Sequence, residues 1–240
     1  MMIWLWAAQS EAAPKPLALV FVDVSGSIDQ KEFEAHLKRV PAVINQLPPD
    51  SDVQVYPIRA DMELPERLFH VEGLGKQVEG KQANELLTAL RVAYGTRGKG
   101  EPQSCILGAL AYAASRVKEQ LGMERSQRAT LIHVVIMSDM IEDCSESPLG
   151  RGIVLAKKEL MVKELHQADY FEKNSEYQFG RAYITVILAP RLAYPVTGGQ
   201  RPRVEELKQF WGKFFTLAAT VQNGVRWFPE TIPTFAKGVK

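Results

Sequence analysis

Cysteine is nearly absent from this chain, with only Cys105 and Cys144 among 240 residues. Two are too few for a disulfide scaffold or a cysteine-built zinc site, which leaves two separate thiols or one bond. Net charge is nearly absent as well. Lys and Arg total 29 against 28 Asp and Glu, so no basic field draws in nucleic acid and no acidic tail is present. The four histidines, His36, His70, His133 and His166, lack metal-ligand spacing to one another and read as structural or exposed. No apolar run is long enough for a stable membrane span. Residues 1–8 (MMIWLWAA) fall far short of a bilayer's thickness and lack the basic front of a signal peptide. Small residues at 10–14 have the character of a cleavage site. Residues 1–14 are therefore expected to be an apolar tail, or the remnant of an export signal whose start lies upstream. Export would favour a periplasmic or extracellular location over a cytoplasmic one.

What is present is an ordinary core. Hydrophobic residues make up 46% and charged residues 24%, which suits one α/β domain over residues 15–240. Residues 17–24 (LALVFVDV) form an almost unbroken aliphatic run between prolines and Ser25-Gly26-Ser27. That pattern marks a strand buried on both faces. Residues 129–137 (ATLIHVVIM) and 182–189 (AYITVILA) repeat it. Strands are also expected at 53–58, ending or lying at an edge at Pro57, at 67–71 and at 225–228. Apolar spacings of three and four predict helices over 30–47, 82–93, 104–121, 153–165 and 204–219. Strand and helix alternate throughout, which implies crossover connections. The expected architecture is a Rossmann-like, mostly parallel central sheet with helices on both faces.

In such a sheet, ligands bind beyond the carboxyl ends of the strands, near the point where strand order reverses. Asp23-Val24-Ser25-Gly26-Ser27 closes the first buried strand, and Ser138-Asp139 closes the second long one. Hard cations take oxygen ligands and are usually held by only one or two carboxylates. Two aspartates with neutral hydroxyls leave such a cation short of negative charge, so a carboxylate from elsewhere becomes a favourable last ligand.

The run LALVFVDVSGSID resembles the Asp-x-Ser-x-Ser motif of von Willebrand factor A domains, which builds their metal-ion-dependent adhesion site. That family also uses a threonine a few residues before an Ala-Leu pair; Ser104, ahead of Ala109-Leu110, is similar in place. Its last aspartate commonly lies within Thr-Asp-Gly, which Ser138-Asp139-Met140 resembles. The resemblance runs over about residues 15–228. It implies a Mg²⁺ site, or one for Mn²⁺ or Ca²⁺, built by Asp23, Ser25, Ser27, Ser104 and Asp139. The serines would ligate directly and the aspartates largely through water. It further implies a protein-binding module whose cation bridges to an acidic residue of a partner protein. Two positions depart from the pattern: Ser104 keeps the hydroxyl without the methyl, and Met140, where glycine is usual, matters less.

Other readings compete. Ser27 or Asp29 is a credible cap for the following helix, so the first motif alone has a purely structural explanation. Glu142, Asp143 and Glu146 are either a solvated loop or an acidic rim. A Cys105–Cys144 bond would pin two site loops and suit an exported protein. Gly75-x-x-x-x-Gly80-Lys81 imitates a phosphate loop, but Gln82 stands where Ser or Thr would meet Mg²⁺ and no strong strand leads in. Ser25 lacks a nucleophile-elbow context, and no base or nucleophile is evident beside the aspartates. A Mg²⁺-dependent hydrolase or phosphotransferase is thus the alternative to a binding module. A structural subunit of a larger assembly is the third reading.

Overall fold

All seven residues of β1 (Leu17–Asp23) are buried, and they feed two core layers in alternation. Leu17, Leu19 and Phe21 enter one layer; Ala18, Val20 and Val22 enter the other. Successive side chains of a strand point to opposite faces, so a strand covered on both sides needs an apolar residue at nearly every position. This is a computed structural model, which describes residues 15–25, 30–59, 62, 65–75, 77–96, 104–124, 129–144, 153–154, 177–188, 204–217, 219, 221–228 and 235.

After β1 come α1 (Gln30–Leu37), α2 (Val40–Ile44), β2 (Asp52–Ile58), β3 (Phe69–Val71), α3 (Gly80–Gly95), α4 (Ile106–Gly122) and β4 (Ile132–Ser138). The two-residue strands β5 (Asp143–Cys144) and β6 (Ile153–Val154) follow, then β7 (Tyr183–Leu188), α5 (Val204–Leu217) and β8 (Val225–Phe228). Six strands form one sheet in the order β3-β2-β1-β4-β7-β8. Its pairs are parallel except β2 with β3, while β5 and β6 pair antiparallel by themselves. Helices α4 and α5 supply the layer that holds Leu19 and Phe21, and α1, α2 and α3 supply the opposite one. The α/β class, the mostly parallel sheet and the helices on both faces agree with expectation. Strand order reverses between β1 and β4, which places the expected ligand crevice at their carboxyl ends. Among the described residues no helix is long and apolar enough to cross a membrane.

Local departures have local causes. The single helix expected over 30–47 is two, α1 and α2, because Pro41 has no N–H to give to the carbonyl one turn back. The chain tightens there instead, Arg39 N donating to His36 O at 2.9 Å. Pro57 lies within β2, but β3 pairs only as far as Val55, so its missing donor leaves no gap on that side. Strand β3 covers only the end of the stretch expected at 67–71. Ile153 and Val154, expected to open a helix, form β6 instead; the remainder of that expected helix, 155–165, lies outside the described residues.

Two histidines sit in the interior. His36 on α1 and His133 on β4 are 0% and 1% exposed, and neither ring has a hydrogen-bond partner among the described residues. His133 stacks on Tyr183 at 5.3 Å and meets the edge of Phe235 at 5.6 Å. Burial, and then the charge of Arg39, lowers His36 from 6.5 to about 4; burial and then Arg226 do the same to His133. Both rings are therefore neutral in the fold and easier to protonate in the unfolded chain. Their contribution is complete above pH 6.5 and is lost as pH falls toward 4, by about 3 kcal/mol for each ring. The urea unfolding midpoint is expected to drop across that window, and His133→Phe, which keeps a planar ring, to remove roughly half of the drop. An identical pH dependence in the variant and the parent would refute this.

Candidate metal centre

Strand periodicity decides which face carries the site. Asp23 shares its parity with Leu19 and Phe21, so it faces the layer built by α4 and α5. On β4, Ser138 shares parity with Val134 and Ile136, which lie in the same layer. The β1–β4 register ends with Val22 opposite Met137, so Asp23 and Ser138 come next, side by side. Helix α4 begins at Ile106, and Ser104 lies two residues ahead of it.

The result converges on one carboxylate. Asp23 is 0% exposed. Its Oδ1 accepts the amide of Ser25 at 2.9 Å. Its Oδ2 accepts the hydroxyl of Ser104 at 3.0 Å and that of Ser138 at 2.6 Å. Burial raises the Asp23 carboxyl above its ordinary value, and the bonds from Ser138, Ser25 and Ser104 act in the opposite direction. Among the described residues no Lys, Arg or His lies within ion-pairing distance of it. Asp139, also buried, directly follows β4 and accepts the amide of Ile141 on Oδ1 at 2.9 Å.

Of the five residues expected to hold a cation, Asp23, Ser25 and Ser104 are thus joined by hydrogen bonds. Asp139 adjoins their neighbour Ser138, and Ser27 lies outside the described residues. Among the described residues no three His, Cys, Asp or Glu side chains gather as a metal cluster. Of the five expected ligands two are carboxylates, Asp23 and Asp139, and three are serine hydroxyls. Such a donor set fits a hard cation that retains water, and does not fit zinc. The fit has a physical basis in Asp23 itself. Hydroxyl and amide donors stabilise a buried carboxylate, but no cationic side chain among the described residues lies beside it.

Two residues of the crevice were not legible as functional. Ser138 appeared only as the neighbour of Asp139, yet its hydroxyl both donates to Asp23 and accepts the amide of Met140 at 2.9 Å. Glu142 read as a solvated loop or an acidic rim. It is instead 0% exposed, with Oε2 accepting the amide of Leu107 at 2.9 Å in the first turn of α4. Cys105 is disulfide-bonded and no cysteine is free; the chain's one other cysteine is Cys144.

No protein-family model matches the chain, and no curated protein matches it. Similar solved structures include a von Willebrand factor type A protein from Catenulispora acidiphila, at 13% identity and a TM-score of 0.46, covering 85% of this chain and 38% of that one. The manganese-loaded TRAP protein of Plasmodium vivax is 16% identical at a TM-score of 0.43, over 83% of this chain and 63% of that one. An aerotolerance-related membrane protein from Bacteroides fragilis is 12% identical at 0.44, over 89% and 91% of the two chains. The chain spans less than two thirds of the length of the first two. At these identities and scores the likenesses carry no conclusion about the site; the fold class rests on the chain's own strand order.

Met140 occupies the turn that ends the crevice. Its φ is +59°, the left-handed region where glycine is at ease and other residues incur about 1–2 kcal/mol. The side chain compensates by full burial in the α4–α5 layer, and Trp211 Nε1 donates to its carbonyl at 2.9 Å. Removing a buried side chain of this size costs about 2–5 kcal/mol, more than the strain relieved. Met140→Gly is therefore expected to destabilise the protein by about 1–3 kcal/mol in urea unfolding. A stabilised variant would show that strain outweighs packing here.

Proposed function

We propose that residues 15–240 form a single von Willebrand factor A-like module that binds another protein through a divalent cation. Asp23, Ser25, Ser27, Ser104 and Asp139 would hold the ion, Mg²⁺ or else Mn²⁺ or Ca²⁺. When bound, the cation would supply an open coordination position to an acidic side chain of the partner. The chain's own residues do the rest. Ser138 and the Ser25 amide orient the Asp23 carboxylate, and Ser104 presents its hydroxyl from the start of α4.

One observation carries this reading. A fully buried carboxylate collects donors from three separate chain segments at the strand-order reversal, with no cationic side chain beside it among the described residues. A helix cap would need only the Asp23–Ser25 segment, and would not require Ser104 and Ser138 to converge on the same oxygen. The disulfide of Cys105 supports an oxidising compartment, periplasmic or extracellular. The hydrolase and phosphotransferase reading has no specific observation in its favour. His36 and His133 lie in or against the layer on the other side of the sheet.

Isothermal titration with Mn²⁺ or Mg²⁺ is expected to show binding by the parent chain and none by Asp23→Ala, with circular dichroism confirming that the variant is folded. Equal affinity in both proteins would sink the cation site. Recovery of the same partners with and without chelator would leave the ion outside the interaction.

A further inference from the structure

We infer that Glu142 and the Cys105 disulfide are the positioning pair of this site, fixing the start of α4 against the segment that follows β4. The inference rests on the cation reading above and deepens it. The expected ligands come from three stretches of chain. Asp23 and Asp139 are set relative to each other by the β1–β4 ladder, whose register is continuous from Leu17 to Val22. Ser104 has no such ladder. It precedes a helix whose contacts with the sheet are mostly apolar, the Ser104 bond to Asp23 and that of Tyr112 Oη to Tyr56 Oη at 3.4 Å aside, and apolar contacts do little to set a helix's position along its own axis.

The first turn of α4 is held from outside instead. Its N-cap residue, Cys105, makes no side-chain capping bond. The amide of Leu107 is met by the carboxylate of Glu142, 35 residues away. A local Ser or Asp cap would satisfy that donor equally well, but would not connect the helix to anything. Glu142 lies three residues beyond Asp139, so its bond couples Ser104 to Asp139 through a short, buried path. With Cys144 as its partner, the Cys105 disulfide would span the same gap. Cys105 adjoins Ser104, and the only other cysteine, Cys144, lies two residues beyond Glu142. A buried hydrogen bond and a covalent bond would thus tie the same two segments. One sets the height of the helix and the other prevents separation.

Mn²⁺ titration of the full chain, at a temperature where thermal unfolding shows every variant folded, tests this. Glu142→Ala and the double variant Cys105→Ser/Cys144→Ser are each expected to weaken Mn²⁺ binding by about tenfold or more, the range seen when groups supporting metal ligands are removed. Glu142→Gln retains an oxygen of the same reach and is expected to restore binding to near the parent value. If Glu142→Ala does not fold, Glu142→Asp replaces it, with a carboxylate too short for Leu107 and the same expected loss. Variants that lose thermal stability yet bind Mn²⁺ as the parent does would make the pair merely structural and overturn the inference. Glu142→Gln as weak as Glu142→Ala would overturn it also, because charge and not position would then be what Glu142 supplies. A parent chain that binds no Mn²⁺ would remove the cation reading, and this inference with it. A binding parent with indistinguishable variants would remove only the inference.

Discussion

The burial of the Asp23 carboxylate at the end of the central strand is the constraint around which the rest of the crevice is arranged. An ionised carboxylate taken out of water costs several kcal/mol unless its oxygens are occupied. Here both are. The Ser25 amide meets one, and the hydroxyls of Ser104 and Ser138 meet the other. Each bond comes from a different piece of backbone, so the carboxylate draws together the exit of β1, the end of β4 and the approach to α4. If the strand pairing slipped by one residue, Asp23 would lose Ser138 and face the opposite core layer.

The two layers of the sandwich have different characters. The α4–α5 side is aromatic: Trp211 meets Phe210 edge-on at 5.4 Å and Phe214 at 5.5 Å, and Phe214 meets Tyr177 at 5.1 Å. This packing reaches the crevice directly, because the same Trp211 ring donates to the carbonyl of Met140. A tryptophan buried in a core needs an acceptor for its N–H, and the left-handed turn after Asp139 provides one. The opposite side is richer in aliphatic residues, with Phe33 stacked on Tyr94 at 4.1 Å, and carries His36 and His133, held neutral by their surroundings. The chemistry of the crevice and the acid sensitivity of the fold are thus assigned to opposite faces of one sheet.

Much of this is legible in the amino-acid sequence. The unbroken apolar runs at 17–24 and 129–137 mark strands covered on both faces, and the polar residues that end them mark the crevice. What periodicity misread was the continuity of the first helix, where one absent N–H at Pro41 outweighed an otherwise regular apolar spacing, and the start of the helix expected at 153, where Ile153 and Val154 pair as a strand with β5. Glu142 is the clearest failure of composition-based reading. In a stretch with Asp143 and Glu146 it resembles a solvated acidic loop, yet a helix start elsewhere in the chain offers it a buried donor. Met140 is similar. Nothing local says that a methionine will occupy a backbone conformation favoured by glycine, because the compensation lies in the space between α4 and α5.

The amino-acid sequence by itself determined the class of the fold, the direction of its core strands and the residue types at the strand ends, because these follow from local periodicity and the properties of single side chains. Tertiary structure alone decided that Ser104, 81 positions from Asp23, and Ser138, 115 positions away, donate to the same oxygen. It also decided that Glu142 serves α4 and that Cys105 is bonded. Those outcomes depend on which strands are neighbours and on where a helix starts above them. Contacts between distant segments carry no local signal, since the chain between them is free to vary as long as the sheet register brings their ends together.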